Sequence, residues 1–235
     1  MTTELASKVT LIPWDADSEV HREWLVKQRV ECSWHQDKVQ TKWKIQQQKG
    51  EKCIFWIVLP SDESQARADV GKEEKETLED TATTIYAVPR QPTKERFVPI
   101  GHISLDAKDP ESEKIDLDIP SEGVFWIKTF YVSQSVQGQG IGRAAMDEVE
   151  AMAVREPLSA KILMLDTVQK DDQKREEFAI ATFGSVPKST NEEWYTRRGY
   201  QVIKTVQNYY GVADRNGKVW DTKTVFMRKD IAGEQ

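Results

Sequence analysis

Uninterrupted apolar runs mark the strands of this chain. Residues 53–59 are apolar without a break and end at Pro60, and residues 124–132 are rich in aromatic and β-branched side chains. Runs of this kind are typical of strands buried on both faces. Shorter runs predict further strands at 9–13, 99–106, 162–165, 200–210 and 222–228.

Helices are predicted where apolar residues return every three or four positions. Possible capping residues at 15–18 precede Val20, Trp24 and Leu25, and a second helix is expected between His35 and Gly50. The clearest helical face follows residue 140 and is formed by Ile141, Ala145, Val149, Met152 and Ala153. A short helix over 191–198 is expected to end at Gly199, a residue suited to a left-handed C-terminal cap.

The predicted order β-α-α-β-β-β-α-β-α-β-β describes a single mixed α/β domain over 1–235. Two segments interrupt it. Residues 61–80 carry eight acidic and three basic residues with almost no large apolar side chain, so we expect a flexible acidic insertion over 61–96. A polar connection over 169–190 is expected to be a second, part-helical insertion.

Charge and cysteine content exclude several classes of protein. The net charge of -6 disfavours non-specific nucleic-acid binding, which needs a cationic field. Cys32 and Cys53 are the only cysteines and form no ligand cluster, so neither a metal site nor a disulfide framework is predicted. No apolar run suits a signal peptide or a membrane span, and a soluble, cytoplasmic protein is expected, with a nuclear location still open.

A glycine-rich loop joins the strand at 124–132 to the helix that follows. Gly138, Gly140 and Gly142 lack Cβ atoms, so the chain can turn tightly and an anion can approach the backbone amides. A helix N-terminus adds unpaired N–H groups and the positive end of the helix dipole. Gln137 and Arg143 offer further donors on either side. The loop therefore predicts a phosphate-binding site.

Two phosphate ligands fit such a loop. Residues 140–145 match the dinucleotide pattern GxGxxA, and Asp166 stands near the position of a ribose-binding acid. However, residues 133–137 separate the first glycine from its strand, and no further βαβ units follow. These two departures favour a ligand other than NAD(P) without removing that alternative.

The sequence Gln137-Gly138-Gln139-Gly140-Ile141-Gly142 resembles the Q/R-x-x-G-x-G/A signature of the GNAT superfamily of N-acetyltransferases. Residues 195–200, from Tyr195 to Gly199-Tyr200, are similar to that family's Y-x-x-x-G-F/Y segment. The resemblance covers 99–231 and extends more loosely to residue 9. It implies a central mixed sheet of about six to seven strands, splayed at the cofactor site and flanked by helices.

The resemblance also implies a cosubstrate and a site. Acetyl-CoA would lie with its pantetheine arm on the backbone of one strand and its pyrophosphate on the loop. The implied cofactor-binding residues are Phe130, Tyr131, Val132, Gln137, Gly138, Gln139, Gly140, Ile141, Gly142 and Arg143. By the family match Tyr195 is the general acid for the departing thiolate, and Glu122 is a candidate base acting through water.

The acceptor is expected to be an amine of a small molecule or a peptide. In this family the first two helices and the last hairpin typically wall the acceptor site, which here implies Trp34, Tyr209 and Tyr210. Aromatic faces can hold an ammonium group. Three functions stay open: acetyl transfer, acyl-CoA sensing without turnover, and NAD(P)-dependent chemistry. The oligomeric state and the acceptor's identity also stay open.

Overall fold

The structure is a computed structural model that describes residues 7–60, 77–214 and 216–231. These residues form two compact units. The first comprises the described parts of Met1–Asp109 and Phe125–Ser159, and the second those of Pro110–Val124 and Ala160–Gln235. The single domain expected over 1–235 stays a prediction.

The strands are β1 Thr10–Pro13, β2 Ile54–Val58, β3 Leu78–Glu79, β4 Thr84–Ile85, β5 Val88–Pro89, β6 Arg96–Phe97, β7 Gly101–Asp106, β8 Val124–Val132, β9 Ile162–Val168, β10 Gln201–Gln207 and β11 Lys223–Asp230. The helices are α1 Glu19–Glu31, α2 Gln36–Lys38, α3 Lys44–Gln48, α4 Ile141–Val154, α5 Lys170–Lys174, α6 Glu176–Phe183 and α7 Asn191–Arg197. A π-helical turn, Val39–Trp43, joins α2 to α3.

The first unit is built on four antiparallel neighbours in the order β1-β2-β7-β8. Every residue of β2 is buried, as its unbroken apolar run predicts. Helix α1 begins at the predicted caps, where Ser18 Oγ accepts from His21 N. The core then forms where Leu25 of α1 and Trp43 of the π-helical turn pack with Trp56 of β2.

Part of the expected flexible insertion is ordered, which corrects the prediction for 77–96. Residues 61–76 lie outside the described residues, but the chain from Thr77 on forms two small strand pairs, β3 with β6 and β4 with β5. Asp80 is 2% exposed, and its carboxylate accepts hydrogen bonds from Nη1 and Nη2 of Arg90, at 2.7 and 2.8 Å. Although burial opposes it, these bonds and those of Thr93 hold the pKa of Asp80 at about 2.

The second unit contains β9, β11 and β10 as antiparallel neighbours. The predicted insertion over 169–190 contains α5 and α6. Helix α7 begins with a complete capping box, in which Thr190 and Glu193 exchange side-chain and backbone bonds. Two hydrogen bonds join this helix to α5. Lys170 N donates to Glu192 Oε2 at 2.6 Å, and Asn191 N donates to Gln173 Oε1 at 2.8 Å.

The predicted fold class is confirmed. Within the described residues the first unit contributes four long strands and the second contributes three, with helices alongside in both. Both cysteines are free thiols, with Cys53 buried and Cys32 partly exposed. No helix in the described ranges is long and apolar enough to cross a membrane.

Candidate functional site

The glycine loop lies in the first unit, between the end of β8 and the start of α4. A single 3-10 turn, Gln134–Val136, follows the strand, and α4 begins directly after Gly140. Gly138 and Gly140 have φ of 77° and 83°, a left-handed conformation that favours glycine at both positions. The two glycines are therefore required by the backbone.

The N-terminus of α4 has unused hydrogen-bond donors. Gly140 caps the helix without any side-chain bond. Among the described residues, the amides of Ile141, Gly142 and Arg143 have no acceptor. Gly138 has open space around it, since a Cβ there would meet nothing within 4 Å. An exposed helix start with free N–H groups and the positive end of the dipole suits an anion.

The neighbouring side chains brace this loop and add positive charge. Gln137 Nε2 donates to Val132 O at 2.8 Å, which ties the loop to the last residue of β8. Arg143 is exposed on the first turn of α4. Lys8, whose role no sequence signal indicates, comes from the chain before β1, and its Nζ lies 3.9 Å from where a Cβ of Gly140 would stand.

Strand β8 departs from a regular ladder just before the loop. His102 pairs with Tyr131 and Ser104 with Lys128, so Ile103 of β7 faces two residues, Thr129 and Phe130. This is a β-bulge. Thr129 has φ of 47°, a rare conformation for a β-branched residue. Neither feature has a sequence signal, because both depend on the pairing with β7.

A match to a protein-family model decides the family. Residues 46–184, more than half of the chain, match the acetyltransferase (GNAT) family. The chain belongs to this family. The predicted membership of the GNAT superfamily is thereby confirmed. Among curated proteins, no sequence matches this GNAT chain.

Solved structures support the GNAT fold. An Arabidopsis thaliana NAA60 in complex with acetyl-CoA has 14% identity and a TM-score of 0.54, over 96% of this chain and 99% of that one. The aminoglycoside 6'-N-acetyltransferase from Enterococcus faecium has 13% identity and a TM-score of 0.53 over the same shares. An aminoglycoside 6'-N-acetyltransferase complexed with coenzyme A has 13% identity and a TM-score of 0.51, also over 96% and 99%. At such identities the likeness shows the fold alone.

The predicted acid of this GNAT chain lies in the second unit. Tyr195 is partly exposed on α7, and its ring lies 5.0 Å from that of Trp194 and 6.0 Å from that of Tyr200. Burial, and then the charge of Asp166, raise the pKa of Tyr195. The phenol therefore holds its proton at neutral pH. Glu122, the candidate base, is exposed on the turn before β8.

The three aromatic residues predicted for the acceptor are divided between the units. Tyr209 and Tyr210 follow β10 in the second unit, with ring centroids 4.5 Å apart, and Tyr209 also packs on Phe226 at 5.0 Å. Trp34 lies in the first unit, in the loop after α1, where Ser33 has φ of 60°.

The loop that carries Trp34 is fixed by buried polar groups. Arg29 Nε donates to Trp34 O at 2.7 Å, and its Nη1 lies 3.3 Å from His102 Nε2. His102 Nδ1 lies 2.7 Å from Gln28 Oε1, so both ring nitrogens have partners. Burial lowers the pKa of His102 well below its usual value, and Arg29 adds to the effect. His102 is thus a neutral core histidine, as expected of a buried, hydrogen-bonded imidazole.

One contact at the cofactor strand has no sequence signal. The hydroxyl of Tyr131 donates to the carboxylate of Glu31 at the end of α1, which links α1 to β8. Burial and then this carboxylate raise the pKa of Tyr131. The two residues are far apart in the chain, so only the folded arrangement brings them together.

In the described part of the chain, no cluster of His, Cys, Asp or Glu is placed to hold a metal ion.

Proposed function

We propose that this GNAT protein is an acetyl-CoA-dependent N-acetyltransferase that transfers the acetyl group directly to a primary amine of a small molecule or a protein. One observation carries the proposal: helix α4 begins after two left-handed glycines with no side-chain cap, and its first three amides have no acceptor among the described residues. In a chain of the acetyltransferase family, this is the arrangement that a pyrophosphate needs.

The donor would be held by the first unit. The amides from Gln137 to Arg143 would hold the pyrophosphate, and the backbone of Phe130, Tyr131 and Val132 would bond to the pantetheine arm. The exposed cations of Arg143 and Lys8 would add attraction for the phosphates. The NAD(P) alternative loses its support, because the same loop is accounted for by the family.

The acetyl group supplies an electrophilic carbonyl carbon. The amine nitrogen forms the new bond to that carbon, the carbon–sulfur bond breaks, and the sulfur leaves with the electron pair. Tyr195 would donate its proton to that sulfur. A raised pKa keeps this donor protonated across the neutral range. Glu122 stays the proposed base, and its exposed carboxylate could accept the amine's proton through water.

The acceptor would meet aromatic residues. Trp34, Tyr209 and Tyr210 are the proposed contacts, and the negative faces of their rings suit an ammonium group. The net charge of -6 also favours cationic acceptors over anionic ones.

The proposal is tested first by binding and then by turnover. Acetyl-CoA, but not NADPH, should bind the purified protein in isothermal titration calorimetry. Free CoA release should then be measured with a panel of amines: amino acids, polyamines, aminoglycosides and peptides with free N-termini. Binding without turnover on any of them would favour the acyl-CoA sensor, and binding of NADPH alone would contradict the proposal.

Tyr195→Phe tests the assigned acid. We expect turnover to fall by roughly 10²–10⁴-fold, because general acid catalysis contributes about that much, while acetyl-CoA affinity stays within about twofold. Tyr86→Phe is the matched control, since it removes a partly buried hydroxyl that donates to Leu105 O at 2.7 Å in the first unit. Equal turnover in both variants would remove Tyr195 from the mechanism.

A further inference from the structure

The bulge in β8 is held by a buried polar network that the proposed chemistry does not use. Thr129 Oγ1 donates to Ser104 Oγ on β7 at 2.8 Å. The same Ser104 oxygen accepts from Lys52 Nζ at 3.1 Å, and the Ser104 hydroxyl bonds to Asp106. Lys52 completes the set with a bond to Asp106 Oδ2 at 2.7 Å.

This network is placed deep in the first unit. Lys52 and Asp106 are each 4% exposed, and Ser104 is fully buried. The Lys52 ammonium also lies 5.0 Å from the centroid of the Trp43 ring, so hydrogen bonds and a ring face surround it. Burial lowers the pKa of Lys52 and raises that of Asp106, which shows that desolvation opposes both charges.

A buried ion pair is a poor way to stabilise a fold. Replacing such a pair with well-packed apolar side chains is often neutral or stabilising. A strained residue likewise persists only where its surroundings hold it in place. Here the pair and the strain are joined through one hydroxyl, that of Ser104. The network therefore fits a role in fixing the conformation of Thr129.

The conformation of Thr129 determines towards which side of the sheet the side chains of the following residues of β8 point. A bulge inserts one residue, and without it the pairing beyond that point would slip by one position. The backbone groups and side chains of Phe130, Tyr131 and Val132 would then exchange faces. These are the residues proposed to bond to the pantetheine arm.

We propose that Lys52, Ser104 and Asp106 are positioning residues that set the affinity for acetyl-CoA by holding Thr129 in its left-handed conformation. The inference rests on the proposed function, since it assumes that acetyl-CoA binds along β8. It adds a specific cause of affinity, which lies on β7 and at Lys52, two residues before β2.

The test is a double-mutant cycle read by titration calorimetry with acetyl-CoA. Ser104→Ala removes the hydroxyl that holds Thr129 and should weaken binding on the order of tenfold or more. Thr129→Gly allows positive φ without any hydrogen bond, so it should keep the affinity within about threefold. In the Thr129→Gly background, Ser104→Ala should then have little further effect. Only a role through the conformation of residue 129 predicts this rescue.

Two further variants separate affinity from stability. The pair Lys52→Met with Asp106→Leu should weaken binding on the order of tenfold while the protein still unfolds cooperatively. Thr224→Val is the matched control, a buried strand threonine in the second unit that should leave binding unchanged. If the Lys52 and Asp106 pair fails to fold, the Ser104 and Thr129 cycle decides alone.

The outcomes distinguish the inference from the proposed function. Wild-type protein that binds no acetyl-CoA would overturn both. The positioning role alone would be overturned in two cases, and the proposed function would then still stand. In the first, wild-type protein binds acetyl-CoA and Ser104→Ala binds it within about twofold as well. In the second, Ser104→Ala causes the same loss of affinity in the wild-type and Thr129→Gly backgrounds.

Discussion

Helices α4 and α7 begin in opposite ways. At α7 the chain bonds its own helix start: Glu193 N donates to Thr190 Oγ1 at 3.2 Å, and Asn191 N donates to Gln173 Oε1 at 2.8 Å. At α4 the cap is Gly140, a residue without a side chain that could bond to the first turn. A capped start contributes to stability, whereas an uncapped, exposed one keeps its donors for a ligand. The difference is what we expect if the start of α4 binds the phosphates of the proposed donor, whereas the start of α7 contributes to stability.

The largest expected effect comes from a charge at the uncapped start. Gly140→Asp places a carboxylate where the pyrophosphate is proposed to bind, at a residue with φ of 83°. We expect acetyl-CoA affinity to fall on the order of 100-fold, which titration calorimetry would measure.

Two controls accompany this variant. Gly140→Asn keeps the residue neutral and tolerates positive φ, so it should keep most of the affinity. Gly217→Asp places the same charge at a glycine with φ of 80° in the second unit and should leave binding unchanged. Equal losses for Asp and Asn at position 140 would mean that shape, and not charge, governs the loop.

Acid should affect the first unit before it affects the α7 cap. His21 is buried, and burial lowers its pKa from 6.5, as it does for His102. Below about pH 6.5 the two histidines bind protons in the unfolded chain, whereas in the folded chain they stay neutral to a lower pH. Stability is therefore full above that pH and should fall as the pH drops, by at most about 1.4 kcal/mol per pH unit for each of the two histidines.

The α7 cap behaves differently in the same range. Glu193 of the cap accepts hydrogen bonds from the side chain of Lys174 and from the backbone amide of Thr190. In that order of importance, these bonds hold the pKa of Glu193 at about 2, so its carboxylate stays ionised. Denaturant unfolding at pH 7, 6 and 5 would measure the dependence of the free energy of unfolding on pH. His21→Gln should reduce it, and an unchanged slope in that variant would contradict the assignment.

Removing the α7 cap should cost stability alone. Thr190→Ala loses the bond to Glu193 N, and such caps are worth about 1 kcal/mol. Chemical denaturation should show that loss, while acetyl-CoA affinity stays within about twofold. A large loss of affinity with unchanged stability would reverse the roles assigned to the two helix starts.

The smallest effect is expected from Lys8. Its ammonium is exposed near Gly140, so Lys8→Met should weaken acetyl-CoA binding by only about threefold, and less at high salt. Calorimetry at low and high salt would measure both values. Lys27→Met, on the exposed side of α1, is the control. A salt-independent loss in Lys8→Met would indicate a packing role instead.

The sequence predicted well those parts that depend on neighbours in the chain. The apolar run at 124–132 correctly predicted β8, and the helical spacing of apolar residues after Gly140 correctly predicted α4. Both signals lie within one short stretch of the chain. The ordered structure of residues 77–96 was missed, because it depends on the hydrogen bonds of Arg90 to Asp80, ten residues earlier in the chain. The bulge at Thr129 was also missed, since the side chains that support it are Lys52, just before β2, and Ser104 on β7.

The most direct test of the account is an NMR titration of the backbone amides with acetyl-CoA. Amide hydrogens that bond to phosphate should shift, so we expect saturable changes at Gly138, Gly140 and Gly142, and none at Glu193 in the capped helix α7. Binding that leaves the three glycine amides unmoved would contradict the claim that the uncapped start of α4 holds the donor.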